Sequence, residues 1–232
     1  LLLLFTVLIL AIVTYTDSII ISRHNTSTVK QTQNELESIK NQLIFNLYNN
    51  IQIIKGLPAL ISTNPSLSQK QFSIAVQTLL DNDSQLRNIG AAPNLILKYL
   101  YPLKGNEAAI GLDYRDLPTQ IDSVIKAKET RQLQLAGPLK LKQGGMGLIT
   151  RAPIYLKDAE GKEFFWGIIS AVIDVDRLYQ QSGMLDGKLP IEVALRDING
   201  DVFFGSSSLF DKKNTASTIK VPNGAWEIVA RP

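Results

Sequence analysis

"AGPLKLKQGGMGLITRAPIY", Ala136–Tyr155, sets lysines beside a cluster of glycines, as phosphate-binding loops do. A Walker loop needs Gly-Lys-Ser/Thr directly before a helix, so that helix N–H groups meet the phosphates. Here Gly144, Gly145 and Gly147 are followed by "LITRAPIY", a strand-like run with Pro153 inside it. A dinucleotide fingerprint fails for the same reason. The glycines lie between two strand-like runs, where freedom for positive φ suits a hairpin turn. Lys140 and Lys142 alternate with Leu139 and Leu141, the pattern of a strand with one solvent face. The stretch reads as a β-hairpin with exposed lysines.

Toward the C-terminus, "EFFWGIISAVIDV" is the next strand, joined to the hairpin by a turn at Asp158–Lys162. "DVDRLYQQSGM" is a short helix with Asp174 or Asp176 as its cap. "IEVALRDING", "DVFFGSS" and "AWEIVARP" are three further strands, with Asn199-Gly200 suited to a type I′ turn. Toward the N-terminus, "LPTQIDSVIKAKET" is a helix with Pro118 in its first turn and Ile121, Val124 and Ile125 on its inner face. "LRNIGAAP" ends in a breaker, and "NLILKYLYP" with "NEAAIGLDY" resembles a hairpin. "NPSLSQKQFSIAVQTLLDND" is a helix capped by Ser66 or Ser68, with Phe72, Val76, Leu79 and Leu80 as its apolar face.

Before it, Leu36, Ile39, Leu43, Leu47, Ile51 and Ile54 recur at three- and four-residue steps, one stripe of a long helix. Gly56 and Pro58 are expected to stop it. From Asp17 to Lys55 that helix would rise roughly 55 Å at 1.5 Å per residue. The stripe is expected to face the domain core, and in its first half, through Leu36, Ile39 and Leu43, a parallel homodimer partner. Helices first and strands later make the chain α+β rather than alternating βαβ. Two curved antiparallel sheets with helices on one face, five strands and then three, is the simplest packing.

The chain has 232 residues, of which 45% are hydrophobic, enough for one large domain or two small ones with a core. Its formal charge of +3, from 24 basic and 21 acidic residues, is too even for a nucleic-acid footprint. Cysteine is absent, which excludes a redox motif, a thiolate nucleophile and a thiolate zinc site. "LLLLFTVLILAIV", Leu1–Val13, carries no charge and reads as a membrane span truncated at its start, since a span needs about 20 apolar residues. The rival reading, a cleaved signal peptide, needs a small-x-small site that Thr14–Ser18 does not offer. His24, the single histidine, sits close to that segment and reads as a stalk surface residue, not as part of a catalytic triad. Asp113, Asp116 and Asp122 are close in sequence, but two of them flank a helix start, where carboxylates favour the dipole. No catalytic group, metal site or cofactor is expected.

"KAKETRQLQLAGPLKLKQGGMGLITRAPIY" followed by "FFWGIISAVIDVDRL" resembles the CHASE domain. That family is the extracytoplasmic sensor module of plant cytokinin receptors and of many bacterial transmembrane signalling proteins. "PNLILKYLYPLKGNEAAIGLDYRDLPTQ" is similar to the upstream part of the bacterial members, and "WEIVARP" to the strand that leads to their second span. The resemblance runs from about Gln71 to Pro232. It implies a stalk helix carrying two PAS-like sheets, a membrane-distal one with the ligand pocket and a membrane-proximal one coupled to the membrane. The implied organisation is a truncated transmembrane helix (1–20), a stalk (21–56), a distal ligand-binding subdomain (57–183) and a proximal subdomain (184–232). The implied location is the inner membrane, with this region in the periplasm or extracellular space. The implied output is a cytoplasmic diguanylate cyclase or histidine kinase outside this sequence.

On that fold the ligand, a small organic molecule, is expected on the distal sheet. Tyr101, Asp113, Tyr114 and Arg115 would come from the first hairpin and the loop after it. Leu133, Leu135, Arg151 and Ala152 would come from the second hairpin, and Trp166, Ile168 and Ser170 from the strand closing the sheet. Structural roles compete: Tyr101 and Trp166 as core residues, Asp113 as a turn cap, Arg151 as a solvent-facing group beside Glu163. In the plant receptors an aspartate near the start of the preceding helix anchors the adenine group. Counting back from "AKET" puts Gln120 at that position, with Asp122 two residues on, which argues against a cytokinin ligand. The function of a different class is an ectodomain that only dimerises or docks a periplasmic protein. A cavity at the distal sheet favours the sensor, a filled core the docking domain.

Overall fold

The computed structural model describes residues 2–80, 84–141, 144–211 and 214–232, with side chains at 15, 16 and from 26 onward within them. Helix α1 (Leu2–Thr63) comes first. Its stripe from Leu36 to Ile54 is buried, and Leu57 and Ile61 continue it at 0% exposure. This is why the helix passes Gly56 and Pro58 instead of stopping there. A helix-interior proline costs about 3 kcal/mol. Burying two large aliphatic side chains contributes roughly 3 to 6 kcal/mol, enough to offset it.

The same burial corrects the expected dimer seam. Leu36 and Leu43 are 0% exposed and Ile39 is 5% exposed within the single chain, packed in the core with Ile219, Trp226 and Ile228. They have no free face for a partner. The apolar run Leu1–Val13 and His24 fall outside the described side chains, and among the described residues no helix is long and apolar enough to cross a membrane.

Helix α2 (Gln69–Leu79) starts at a capping box in which Ser68 and Gln71 satisfy each other's backbone N–H groups. Phe72 and Val76 are its buried face, while Leu79 is turned out to solvent. The first sheet holds β1 (Leu86–Pro93), β2 (Tyr99–Tyr101), β3 (Gln134–Lys140), β4 (Met146–Lys157) and β5 (Glu163–Asp174), in the antiparallel order β2-β1-β5-β4-β3. The hairpin expected between "NLILKYLYP" and "NEAAIGLDY" forms only in part: the Leu97 and Tyr114 N–H groups donate to the Leu112 and Leu95 carbonyls, and the Gly111 N–H to that of Leu97. β2 itself pairs with β1, Glu107–Ala109 and Tyr114–Asp116 are 3₁₀ turns, and a single bridge joins Ile96 to Asp113. Helix α3 (Pro118–Thr130) follows, with its proline at the N-terminus where no N–H is missed.

Helix α4 (Val175–Gln181), capped by Asp174, leads to the second sheet of β6 (Glu192–Asp197), β7 (Val202–Phe204), β8 (Thr215–Val221) and β9 (Gly224–Arg231). The order is β7-β6-β9-β8, four strands rather than the expected three. The unforeseen β8, "TASTIKV", is an edge strand that buries only Ile219, so it carries almost no apolar alternation. The β6–β7 hairpin forms, but Asn199 is not at positive φ. Gly200 alone is (93°), and the Asp197 carboxylate accepts from the Asn199 and Asp201 N–H groups, so the turn is not type I′. Long helix, then two antiparallel sheets, is the α+β architecture expected.

α1 runs behind both sheets, and one core joins them. Lys40 and Glu37 bond Ser217 of β8, while further along Asn46 bonds Ser182 and Asn50 bonds Gln85. The second sheet therefore lies beside the earlier part of the helix and the first sheet beside the later part. The opposite face of the first sheet is separate: Ala92, Leu100 and Ile168 pack under Leu95, Leu97, Tyr114, Val124 and Ala127.

Candidate functional site

Alternation along β4 places Ile149 and Arg151 on the face covered by α3, and Leu148, Thr150 and Ala152 on the other. Arg151 is 1% exposed. Its Nε donates to Ser123 Oγ at 2.7 Å, Nη1 to Ser170 Oγ at 3.0 Å and Nη2 to Gln120 Oε1 at 2.6 Å. Gln120 and Ser123 are three apart on α3 and so share a face. Tyr114 donates its hydroxyl to Ser170 Oγ at 3.0 Å and lays its ring 5.1 Å from the guanidinium. Burial lowers the Arg151 pKa, and Tyr114 opposes that shift.

Every one of these acceptors is neutral, and among the described residues no carboxylate lies within ion-pair distance of Arg151. A buried cation without a counter-charge is costly, and an arginine fork fits a carboxylate through two hydrogen bonds.

A cavity of about 580 Å³ opens beside this cluster, between α3, the 105–112 segment and the β3–β4 hairpin. Gln120 lines it, as does Ile149, two residues before Arg151 on the same face. Thr119, Asn106 and Lys140 are its other polar walls, and Ala109, Leu112, Leu117, Leu139 and Leu141 supply apolar ones. Gln120 thus touches both the cavity and Arg151, which does not itself line it. The β3–β4 glycines make the turn of a hairpin, with Leu141 N–H bonded to the Gly145 carbonyl. Lys142 lies outside the described residues, while Lys140 borders the cavity rather than only solvent.

Of the residues expected at the site, Tyr114, Gln120, Arg151, Ile168 and Ser170 come together on this face. Leu135, Ala152 and Trp166 belong to the core against α1, and Tyr101 and Leu133 pack at its edge. Trp166 is turned there by a bulge: β4 pairs Ile154 with Gly167 and Tyr155 with Phe165, leaving Trp166 as the extra residue. A Cβ on Gly167 would meet the Ala92 carbonyl oxygen at 2.2 Å, so the close approach of β1 here requires glycine. Asp113 and Arg115 pair with each other at the surface, where Asp113 also caps the turn and its carboxyl is held below the usual range by Arg115. Glu163 pairs with Arg131, not with Arg151. The cavity walls from Gly105 to Leu117 and from Leu139 to Leu141 read in the sequence largely as hairpin strands, with nothing that marked them as lining a cavity. Among the described residues no group of His, Asp or Glu is placed to hold a metal ion.

The fold is shared with solved extracytoplasmic sensor domains. An extracellular ligand-binding receptor from Desulfohalobium retbaense superposes with a TM-score of 0.67 at 14% identity, covering 86% of this chain and 40% of that one. This chain therefore matches less than half the length of that receptor. The sensory domain of the Campylobacter jejuni chemoreceptor Tlp3 gives 0.61 at 16% identity, covering 90% and 95%. The ligand-binding domain of the Pseudomonas aeruginosa amino acid chemoreceptor PctC, solved with GABA, gives 0.58 at 10% identity, covering 83% and 93%. No curated protein sequence matches this one. The CHASE-domain family model matches residues 94–204, a shorter span than the resemblance from Gln71 to Pro232, and contains the Arg151 cluster whole. Over residues 94–204 this chain is thus similar to the CHASE family.

Proposed function

We propose that this chain is the extracytoplasmic sensor region of a membrane-bound signalling protein and that it binds a small organic anion on the outer face of the first sheet. The observation that carries this reading is Arg151, buried beside a cavity with only neutral hydrogen-bond partners. A cavity of this volume suits a metabolite-sized ligand. It also favours the sensor over a docking-only ectodomain, which needs no space at the sheet. The amino acid receptor among the structural relatives supports the view that such a fold can hold small polar molecules. Binding is reversible and non-catalytic, and needs no cofactor. The first sheet is the membrane-distal ligand subdomain (57–183) and the second the proximal one (184–232). The protein sits in the inner membrane with this region in the periplasm, and its output is a cytoplasmic diguanylate cyclase or histidine kinase. Association as a parallel homodimer would use the outer face of α1, where Val29 and Phe45 are exposed, since the inner stripe is occupied.

The signal route begins at Ser170, which shares β5 with Asp174, the cap of α4. Tyr179 of α4 packs edge-on against Phe204 of β7 at 4.7 Å, and Phe203 packs against Trp226 of β9 at 5.1 Å. A ligand that draws Arg151 and Ser170 together would move this chain of contacts, provided it binds one state more tightly than the other. The test is a thermal-shift screen of the purified chain against organic anions, repeated on Arg151→Met. Losing a charged hydrogen bond costs about 1.5 to 3 kcal/mol, so affinity should fall roughly tenfold to a hundredfold. Hits that bind Arg151→Met at full strength would place the site elsewhere.

A further inference from the structure

The cavity has a second property that the buried arginine alone does not determine. Among the described residues its only charged wall is Lys140, a cation, and no aspartate or glutamate lines it. Asp113, the least exposed acidic side chain of the 105–117 segment, is already engaged by Arg115 at the surface. We infer that the site selects carboxylates that lack an ammonium group, with a compact apolar body, and rejects the corresponding amino acids. This rests on the anion site proposed above and narrows its ligand class.

The selectivity is electrostatic in origin. A ligand ammonium drawn into the cavity would lose water, find no counter-charge on its walls, and meet the field of two cations, Lys140 on the wall and Arg151 behind Gln120. A carboxylate meets the opposite situation. It would displace the Gln120 amide oxygen from Arg151 Nη2, or share it, and supply the charge that Ser123, Ser170 and Gln120 do not. Leu112, Leu117, Leu139, Leu141 and Ile149 then offer an apolar body a dry surface without hydrogen-bond demands. The fold relative solved with GABA holds an amine-bearing ligand on a similar architecture, so the difference lies in the wall residues of this chain and not in its topology.

The experiment uses matched pairs that differ by one amino group: 4-methylpentanoate against leucine, 3-phenylpropanoate against phenylalanine, and butanoate against 4-aminobutanoate. Each is titrated calorimetrically into the intact chain. In at least one pair the plain carboxylate should bind at least tenfold more tightly than its amino partner. Thr119→Asp, which adds a carboxylate to the cavity wall in the first turn of α3, should narrow or reverse that ratio. Equal or tighter binding of the amino acids by the unaltered chain would overturn the selectivity and leave the anion site standing. Carboxylates that bind with selectivity unchanged in Thr119→Asp would overturn its electrostatic origin. If no member of either series binds, the anion site itself falls, and the selectivity with it.

Discussion

Gln120→Glu should turn the ligand-free site into its own ligand. The Gln120 Oε1 atom already accepts from Arg151 Nη2 at 2.6 Å, so the substitution replaces one neutral oxygen by a charged one of nearly the same size in the same place. A neutral hydrogen bond contributes about 0.5 to 1.5 kcal/mol net and one to a charged group about 1.5 to 3 kcal/mol. The gain is therefore about 1 to 1.5 kcal/mol, reduced by the cost of partly desolvating the new carboxylate. Gln120 is half-buried, so that cost is partial. At roughly 2 to 4 °C per kcal/mol for a chain of this size, Tm should rise by about 2 to 5 °C at pH 7.

The pH dependence follows from the same pairing. Arg151 would hold the introduced carboxyl below its unfolded pKa of about 4.3. Such a group stabilises fully above the unfolded value, and its contribution is lost as pH falls through the folded one. The Tm advantage should accordingly be present at pH 7 and close on acidification below about pH 4. Anion binding should fall at least a hundredfold, because the carboxylate occupies the fork and repels a second one. Differential scanning calorimetry across pH and calorimetric titration read both effects. A variant less stable than the parent at pH 7, or one that still binds anions at full affinity, would refute the account of Arg151 as an uncompensated cation.

Leu43→Ala should cost about 2 to 5 kcal/mol, because the side chain is fully buried in the core of one chain, and the drop in Tm should not depend on protein concentration. A concentration-dependent Tm restored by high protein would return Leu43 to a dimer seam. Asp174→Asn keeps an equally good helix cap and an acceptor for Arg87 Nε but loses the charge that Nε meets at 2.6 Å, at a cost of about 1 to 1.5 kcal/mol. Burial raises the Asp174 pKa, but the Arg177 and Asp176 N–H groups and Arg87 outweigh it and hold the carboxyl below its usual range. Its contribution is thus present above about pH 3.9 and lost as pH falls through the folded value, so melting curves of variant and parent should converge in acid.

The long helix was legible because a 3.6-residue period survives in any context. Its end was not, since Gly56 and Pro58 are local signals and the burial of Leu57 and Ile61 that overrides them is tertiary. The five-stranded sheet was legible in its hairpins, where turn glycines and alternation coincide. β8 was not, because an edge strand with one buried residue looks like a polar loop. At the site, parity along β4 already separates Arg151 from Ala152. It could not separate Trp166 from Ile168, which have the same parity in sequence and opposite faces in the fold, because the bulge that parts them appears only when β5 is set against β4. Leu135 needed the register too: it pairs with Thr150 and so shares the face away from Arg151.

Arg151 differs from these cases. It was a candidate binding residue before any geometry was known, while its burial and the neutrality of its partners could come only from the folded chain. The two observations bear on each other. An exposed arginine would have said nothing, and a buried one with a paired carboxylate would have been complete. A guanidinium enclosed by two serines, a glutamine and a tyrosine has its donors directed but its charge unmatched. Replacing it by an apolar side chain of similar volume would remove that cost and leave the three acceptors with each other and water. The ligand-free Arg151→Met protein should therefore be no less stable than the parent by calorimetry even as it loses anion binding. A purely structural arginine predicts the opposite, a loss of several kcal/mol on truncation with no ligand involved, and the same two measurements separate the two roles.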